Sequence, residues 1–121
     1  MPAFHDLGEL APQQIWDRIA ARSLHGERLT LSVIELDPGA VVAEHRHENE
    51  QLGVVLRGLM SFRVGDERRD LGPGGTWVIP PNTPHEATAG PEGAVVIDVF
   101  APIRADWSEL EQLEQRRPVW P

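Results

Sequence analysis

Short apolar runs broken by turn residues occupy most of the chain, and this rhythm predicts strands rather than helices. A first strand is expected from Ile19 to Ser23, turning at His25-Gly26, and a second from Leu29 to Leu36, rich in aliphatic and β-branched side chains. Asp37-Pro38-Gly39 ends it, because proline presets φ and glycine accepts either sign of it. Val41 to His47 follows, then a polar break at Glu48-Asn49-Glu50. Gln51 to Arg57 and Leu59 to Val64 flank Gly58, and Gly65-Asp66 turns tightly into Glu67 to Leu71. Thr76 to Ile79 is stopped by two prolines, and His85 to Ala89 and Ala94 to Phe100 bring the tally to about nine or ten strands. Many short strands in one small chain predict an all-β sandwich or barrel.

The two ends differ from this middle. The first fifteen or so residues lack a clear period and are expected to lie on the barrel or pair at its edge. In the tail, Ser108-Glu109-Leu110-Glu111 fits a capping box, with Leu110 and Leu113 spaced for one helical face and Arg116-Arg117 near the end, so a short C-terminal helix is expected. A frayed, exposed segment is the alternative, since so short a helix is marginal alone. This divides the chain into an N-terminal segment (1–25), a barrel (26–104) and a tail (105–121).

Composition narrows the function classes. The 121 residues suffice for one domain with one core. No apolar run approaches the ~20 residues that cross a bilayer, and Met1 to Asp6 lacks the basic and apolar regions of a secretory signal, so the cytoplasm is the expected compartment. The absence of cysteine leaves nitrogen and oxygen as the only metal donors. A formal net charge of −8 disfavours nucleic acid and anionic membranes as partners, while leaving room for an anionic small molecule beside a bound cation.

Three of the five histidines form a spaced set. His45 and His47 stand two apart at a predicted strand end, so their rings project to one face. Gln51 opens the next strand, and His85 follows Pro80-Pro81-Asn82-Thr83-Pro84. Three imidazoles and one amide oxygen suit Zn, Ni, Fe, Mn or Cu. The plainer reading is a pair of exposed histidines in a polar turn among Glu44, Arg46 and Glu48. Glu50 competes with Gln51 for the fourth position, but in an extended chain 45, 47 and 51 share a face and 50 points away. His5 and His25 read as surface or turn residues, and Trp16, Trp77, Trp107 and Trp120 chiefly as packing, with Trp77 a candidate pocket wall.

The frame around these residues resembles the cupin superfamily. Gly39-x5-His45-x-His47-x3-Gln51-x6-Gly58 and Gly74-x5-Pro80-x-Asn82-x2-His85 keep the spacing of its two motifs, G-x5-H-x-H-x3/4-E-x6-G and G-x5-P-x-G-x2-H-x3-N. Three positions depart from it: Gln51 replaces the glutamate, Asn82 the glycine, and Ala89 the closing asparagine. Asparagine also enters the left-handed region, so Asn82 is a conservative change. The resemblance implies a double-stranded β-helix, or jelly-roll barrel, holding one divalent metal with His45, His47, Gln51 and His85.

Within the superfamily, His47-Glu48-Asn49-Glu50-Gln51 and Ile97-Asp98-Val99-Phe100-Ala101-Pro102-Ile103-Arg104 resemble the small cupins of pectin and uronate breakdown. That resemblance implies ring-opening of an unsaturated uronate, with Asp98 transferring protons at the barrel mouth, Phe100 as a pocket wall and Arg104 as a clamp for a substrate carboxylate. Asp98 could instead be a partnered structural acid, and Arg104 a brace where the chain leaves the barrel. A cupin dioxygenase and a binding module without chemistry are the alternative functions. Small cupins commonly pair, so a homodimer is expected.

Overall fold

Eight strands carry the chain in a computed structural model that describes residues 2–121. They are β1 (Gln13–Trp16), β2 (Ile19–His25), β3 (Thr30–Leu36), β4 (Val41–His45), β5 (Glu50–Val64), β6 (Glu67–Leu71), β7 (Thr76–Ile79) and β8 (His85–Ala101). All pairings are antiparallel, along the path β1-β2-β3-β8-β5-β6, with β4 on β8 and β7 on β5.

The long strands β5 and β8 belong to two layers at once. The first half of β5 pairs with β7 and the second half of β8, while its second half pairs with β6 and the first half of β8. One layer is therefore β1-β2-β3-β8-β5-β7 and the other β4-β8-β5-β6. This is the expected all-β jelly-roll barrel. Ile19, Ile34, Leu36, Val55, Met60, Phe62, Ile79, Ala87, Val96 and Phe100 belong to the buried core cluster.

The expected breaks at Gly58 and at Gly90-Pro91 are irregularities inside continuous strands, which fuses two pairs of expected strands, and β1 in the N-terminal segment brings the total to eight. Gly58 sits at φ +78°, and a Cβ there would lie 2.1 Å from the Gly93 carbonyl oxygen. The two long strands can cross between layers because glycine permits that approach. Pro91 falls between the two paired stretches, where its missing N–H interrupts no ladder bond.

The tail corrects the helical expectation. It makes only a 3-10 turn, Ala105–Glu109, and then runs extended against the N-terminal segment. Gln14 N–H donates to Glu111 O at 3.1 Å, Leu113 N–H donates to Pro12 O at 2.8 Å, and the Gln13 side chain donates to Trp107 O at 3.2 Å. Tertiary partners take the backbone groups that a helix would have paired internally. Farther on, the tail crosses the outer face of the first layer. There Glu35 accepts from Arg22 at 2.9 Å, Arg116 at 3.1 Å and Val119 N–H at 2.8 Å. Among the described residues, no helix is long and apolar enough to cross a membrane.

Candidate metal centre

His45 ends β4 and His85 begins β8, and the two are directly opposite in the antiparallel ladder. His47 follows two residues later. The ring centroids stand 4.2 Å (His45–His85), 5.0 Å (His47–His85) and 5.5 Å (His45–His47) apart, and one nitrogen from each ring lies within 4.8 Å of the others. Asn82, in the turn before His85, adopts φ 60°, the left-handed conformation for which asparagine can replace glycine.

Backbone carbonyls fix which nitrogen of each ring faces inward. His45 Nδ1 lies 2.9 Å from Ala43 O, His47 Nδ1 3.0 Å from Asn49 O, and His85 Nδ1 2.8 Å from Thr83 O. A carbonyl can only accept, so each Nδ1 carries the proton and each Nε2 keeps its lone pair. Burial lowers the pKa of all three rings, with the positive charge of Arg104 adding to it, and His85 falls to about 4. They are neutral imidazoles at neutral pH.

Gln51, on β5, adds an amide oxygen beside the three rings. Its Oε1 lies 3.1 Å from His47 Nε2, and Gln51 and Asp98 line the same cavity. With the His47 proton on Nδ1, the Nε2 lone pair faces that oxygen. His85 Nε2 is buried with no hydrogen-bond partner among the described residues. An orphaned nitrogen of this kind is costly unless something coordinates it. Three imidazole nitrogens and an amide oxygen therefore fit a divalent cation with nitrogen and oxygen preferences. Glu50 is exposed and points away from the cluster.

Asp98 was expected at the barrel mouth, but its side chain is buried, 5% exposed. It lies in one cross-strand row, Ser32–Asp98–Gly53–Trp77, running through β3, β8, β5 and β7. Trp77 Nε1 donates to Asp98 Oδ1 at 2.8 Å. Burial pushes the Asp98 carboxyl up to about 6, against the opposing hydrogen bonds from Gln51 and Trp77. Trp77 stacks on Phe62 with centroids 4.7 Å apart and lines the cavity, and its bond to the acid is a contact that sequence reasoning did not assign.

A cavity of about 240 Å³ joins these groups, lined by His45, Gln51, His85, Asp98, Phe100 and Arg104 among others. It falls below the ~300–1,000 Å³ of drug-sized clefts, a size for one small metabolite. Apolar side chains, among them Trp16, Ile34, Met60, Phe62 and Trp107, form much of the wall. A larger cleft of about 830 Å³ lies beside the tail, lined by Glu35, Arg57, Arg116 and Val119, and contains none of the histidines.

Phe100 packs edge-on against His47, with centroids 5.8 Å apart. Arg104 lies at the cavity rim with its fork on Asp106, Nε to Oδ1 at 3.1 Å and Nη2 to Oδ2 at 2.9 Å. Sequence reasoning assigned no role to three neighbours of the site. Trp16 leans on the His45 ring with centroids 5.2 Å apart. Asn49 orients His47 through its carbonyl and holds the chain before Arg104 by donating to Pro102 O at 2.6 Å. Asp106 engages Arg104. Only Asn49 carried a signal, as the middle residue of the break between the histidine pair and Gln51.

Known proteins match this architecture. The profile of the family described as "Cupin domain" matches residues 32–100. The pectin degradation protein KdgF of Dickeya dadantii (strain 3937) is 30% identical over 80 residues, 65% of this chain and 73% of that protein. The structure of KdgF from Halomonas sp. superposes with a TM-score of 0.80 at 32% identity, covering 88% of this chain and 98% of that one. An RmlC-like cupin from Shewanella frigidimarina NCIMB 400 superposes with a TM-score of 0.81 at 26% identity, covering 88% and 96%.

Proposed function

Because this chain belongs to the cupin family, we propose that it is a metal-dependent enzyme that opens the ring of a small unsaturated uronate. The observation that carries the reading is the convergence of the three imidazoles, the Gln51 amide oxygen 3.1 Å from His47 Nε2, and the Trp77-bound carboxyl of Asp98 around one cavity. A ligand set and a proton-transfer group thereby border one small cavity. The two KdgF relatives support the substrate class.

His45, His47, Gln51 and His85 would hold the cation. When bound, a divalent metal supplies Lewis-acid polarisation of a substrate oxygen. The remaining work falls to the chain's own residues. Ring opening is an isomerisation: the anomeric hydroxyl loses a proton, the ring C–O bond breaks to leave a carbonyl, and the released enolate takes up a proton at carbon to become a ketone. Asp98 is placed to accept the first proton, with a pKa near enough to neutrality to release it again. Trp77 keeps the carboxyl in place by donating to Oδ1. Phe100 and the apolar wall exclude water, and Arg104 binds the substrate carboxylate at the rim.

Turnover of unsaturated galacturonate by protein loaded with each candidate metal, followed by loss of the conjugated chromophore, tests this reading. Asp98→Asn is expected to lower the rate by at least ~10²-fold, the usual size of a general acid–base contribution. Full activity in that variant overturns the proton relay. Oxygen-dependent turnover instead identifies a dioxygenase, and tight binding without turnover a binding module.

The proposal extends to assembly. Leu24, Leu31, Val99, Leu52 and Val78 form one cross-strand row over five strands on the outer face, and the four besides Val99 are exposed. An apolar stripe of this kind is self-complementary about a two-fold axis, and a second copy of the chain is its proposed cover.

A further inference from the structure

Arg104 reaches the cavity from a firmly anchored piece of chain. Its own N–H donates to Thr30 Oγ1 at 2.9 Å, Thr30 is fully buried, and Asn49 ties the two preceding carbonyls at 2.6 and 3.3 Å. The guanidinium then rests against an edge-on Phe100–Trp107 pair, 4.8 Å from the Phe100 centroid and 4.4 Å from that of Trp107, the two centroids being 5.1 Å apart. Asp106 grips one edge of the plane, through Nε and Nη2. Nη1 has no protein partner among the described residues.

The ion pair contributes little to stability. The Arg104 side chain is 11% exposed but Asp106 is 64% exposed, and pairs at the solvent edge stabilise a fold by little. What the pair does settle is orientation. Contact with the two aromatic rings restrains where the guanidinium sits, and a two-point contact on one edge fixes its rotation. Arg104 lines the same cavity as His45, Gln51, His85 and Asp98, so its guanidinium borders the space a substrate would occupy.

The geometry points to Asp106 and Trp107 as positioning residues for Arg104, holding its guanidinium so that the free Nη1 end meets a substrate carboxylate. Asp106 is thus a holder of the clamp and not a competitor for it, because it occupies the side edge and leaves the end donors open. This rests on the sugar-acid reading of the same cavity.

The test uses zinc-loaded full-length protein with D-galacturonate and the neutral D-galactose as non-reacting probes. Calorimetry gives both dissociation constants, elemental analysis gives the zinc content, and nitrogen NMR follows the Nε–H of Arg104. In the unaltered protein that Nε–H is expected to be resolved and slow to exchange, and galacturonate is expected to bind at least about tenfold more tightly than galactose. In Asp106→Asn, zinc content and galactose affinity hold, the Nε–H signal is lost to exchange, and galacturonate affinity falls about fivefold to tenfold. Trp107→Leu, which keeps an apolar cover without the aromatic ring, is expected to give the same selective loss.

Tighter galacturonate binding in Asp106→Asn would make Asp106 a competitor and overturn the inference. Equal loss for both sugars would reduce it to a structural residue and overturn it equally. A different result separates the underlying reading: if the unaltered protein does not prefer the acid over the neutral sugar, the sugar-acid assignment fails first and the clamp falls with it.

Discussion

Gly53 and Asp98 are cross-strand partners with no space for a methyl group between them. A Cβ at Gly53 would lie 2.4 Å from Asp98 Oδ1 and 2.3 Å from Trp77 Cε2. The glycine is therefore the gap through which a tryptophan on β7 reaches an acid on β8, two strands away. It acts by vacancy and not by backbone freedom.

Gly53→Ala follows from that gap. The added methyl pushes Trp77 off Asp98, and overpacking of a tight site costs about 1–3 kcal/mol. The expected result is lower turnover of unsaturated galacturonate with metal content retained, together with a shifted tryptophan fluorescence. Unchanged turnover and fluorescence would mean that the indole–carboxyl contact is dispensable.

Metal removal is expected to destabilise the fold. A cation at a concentration about a hundredfold above its dissociation constant contributes about 2.7 kcal/mol, so chelation should lower the melting midpoint clearly. His85→Ala removes the orphaned Nε2 donor and is expected to abolish both the metal content and the chelator response. A chelator-sensitive melt that persists in this variant would argue against His85 as a ligand.

Acidification is expected to loosen the tail. Burial alone would raise the Glu35 pKa, but the Val119 N–H, Arg116 and Arg22 together hold it below the ordinary 4.5. A depressed carboxyl contributes stability above its unfolded value, and that contribution is lost as pH falls below about 4.5. Glu35→Gln leaves Arg22 buried beside a neutral amide, a loss on the order of 3 kcal/mol near neutral pH. Thermal melts across pH should show the variant both less stable and less sensitive to acid. Parallel acid limbs in the two proteins would contradict this role.

The exposed row on the outer face gives a prediction about mass. Light scattering is expected to report twice the chain mass for the unaltered protein and the chain mass for Leu52→Glu, which sets like charges near a two-fold axis. Leu52 is 45% exposed in the single chain, so the change should not unfold it. A monomeric unaltered protein would remove the pairing from consideration.

Strand order and the histidine spacing were legible because both obey local rules. Alternation and turn residues mark where strands stop, and residues 45, 47 and 51 share parity along extended chain, so Gln51 faces inward while Glu50 is exposed. Two local signals misled. Gly58 and Pro91 read as strand ends, yet both sit at irregularities in strands that continue into the second layer. Ser108 to Leu113 reads as a helix, but N-terminal partners claim its backbone.

What the sequence alone determined is therefore the barrel and the identity of the inward donors, since periodicity and motif spacing are properties of neighbouring residues. The tertiary structure decided the environment of those donors. Asp98 is buried and bound by Trp77, and Arg104 arrives already gripped by Asp106 and set against the edge-on Phe100–Trp107 pair. Burial and rotation about side-chain bonds depend on contacts between distant strands, and no spacing along the chain encodes them.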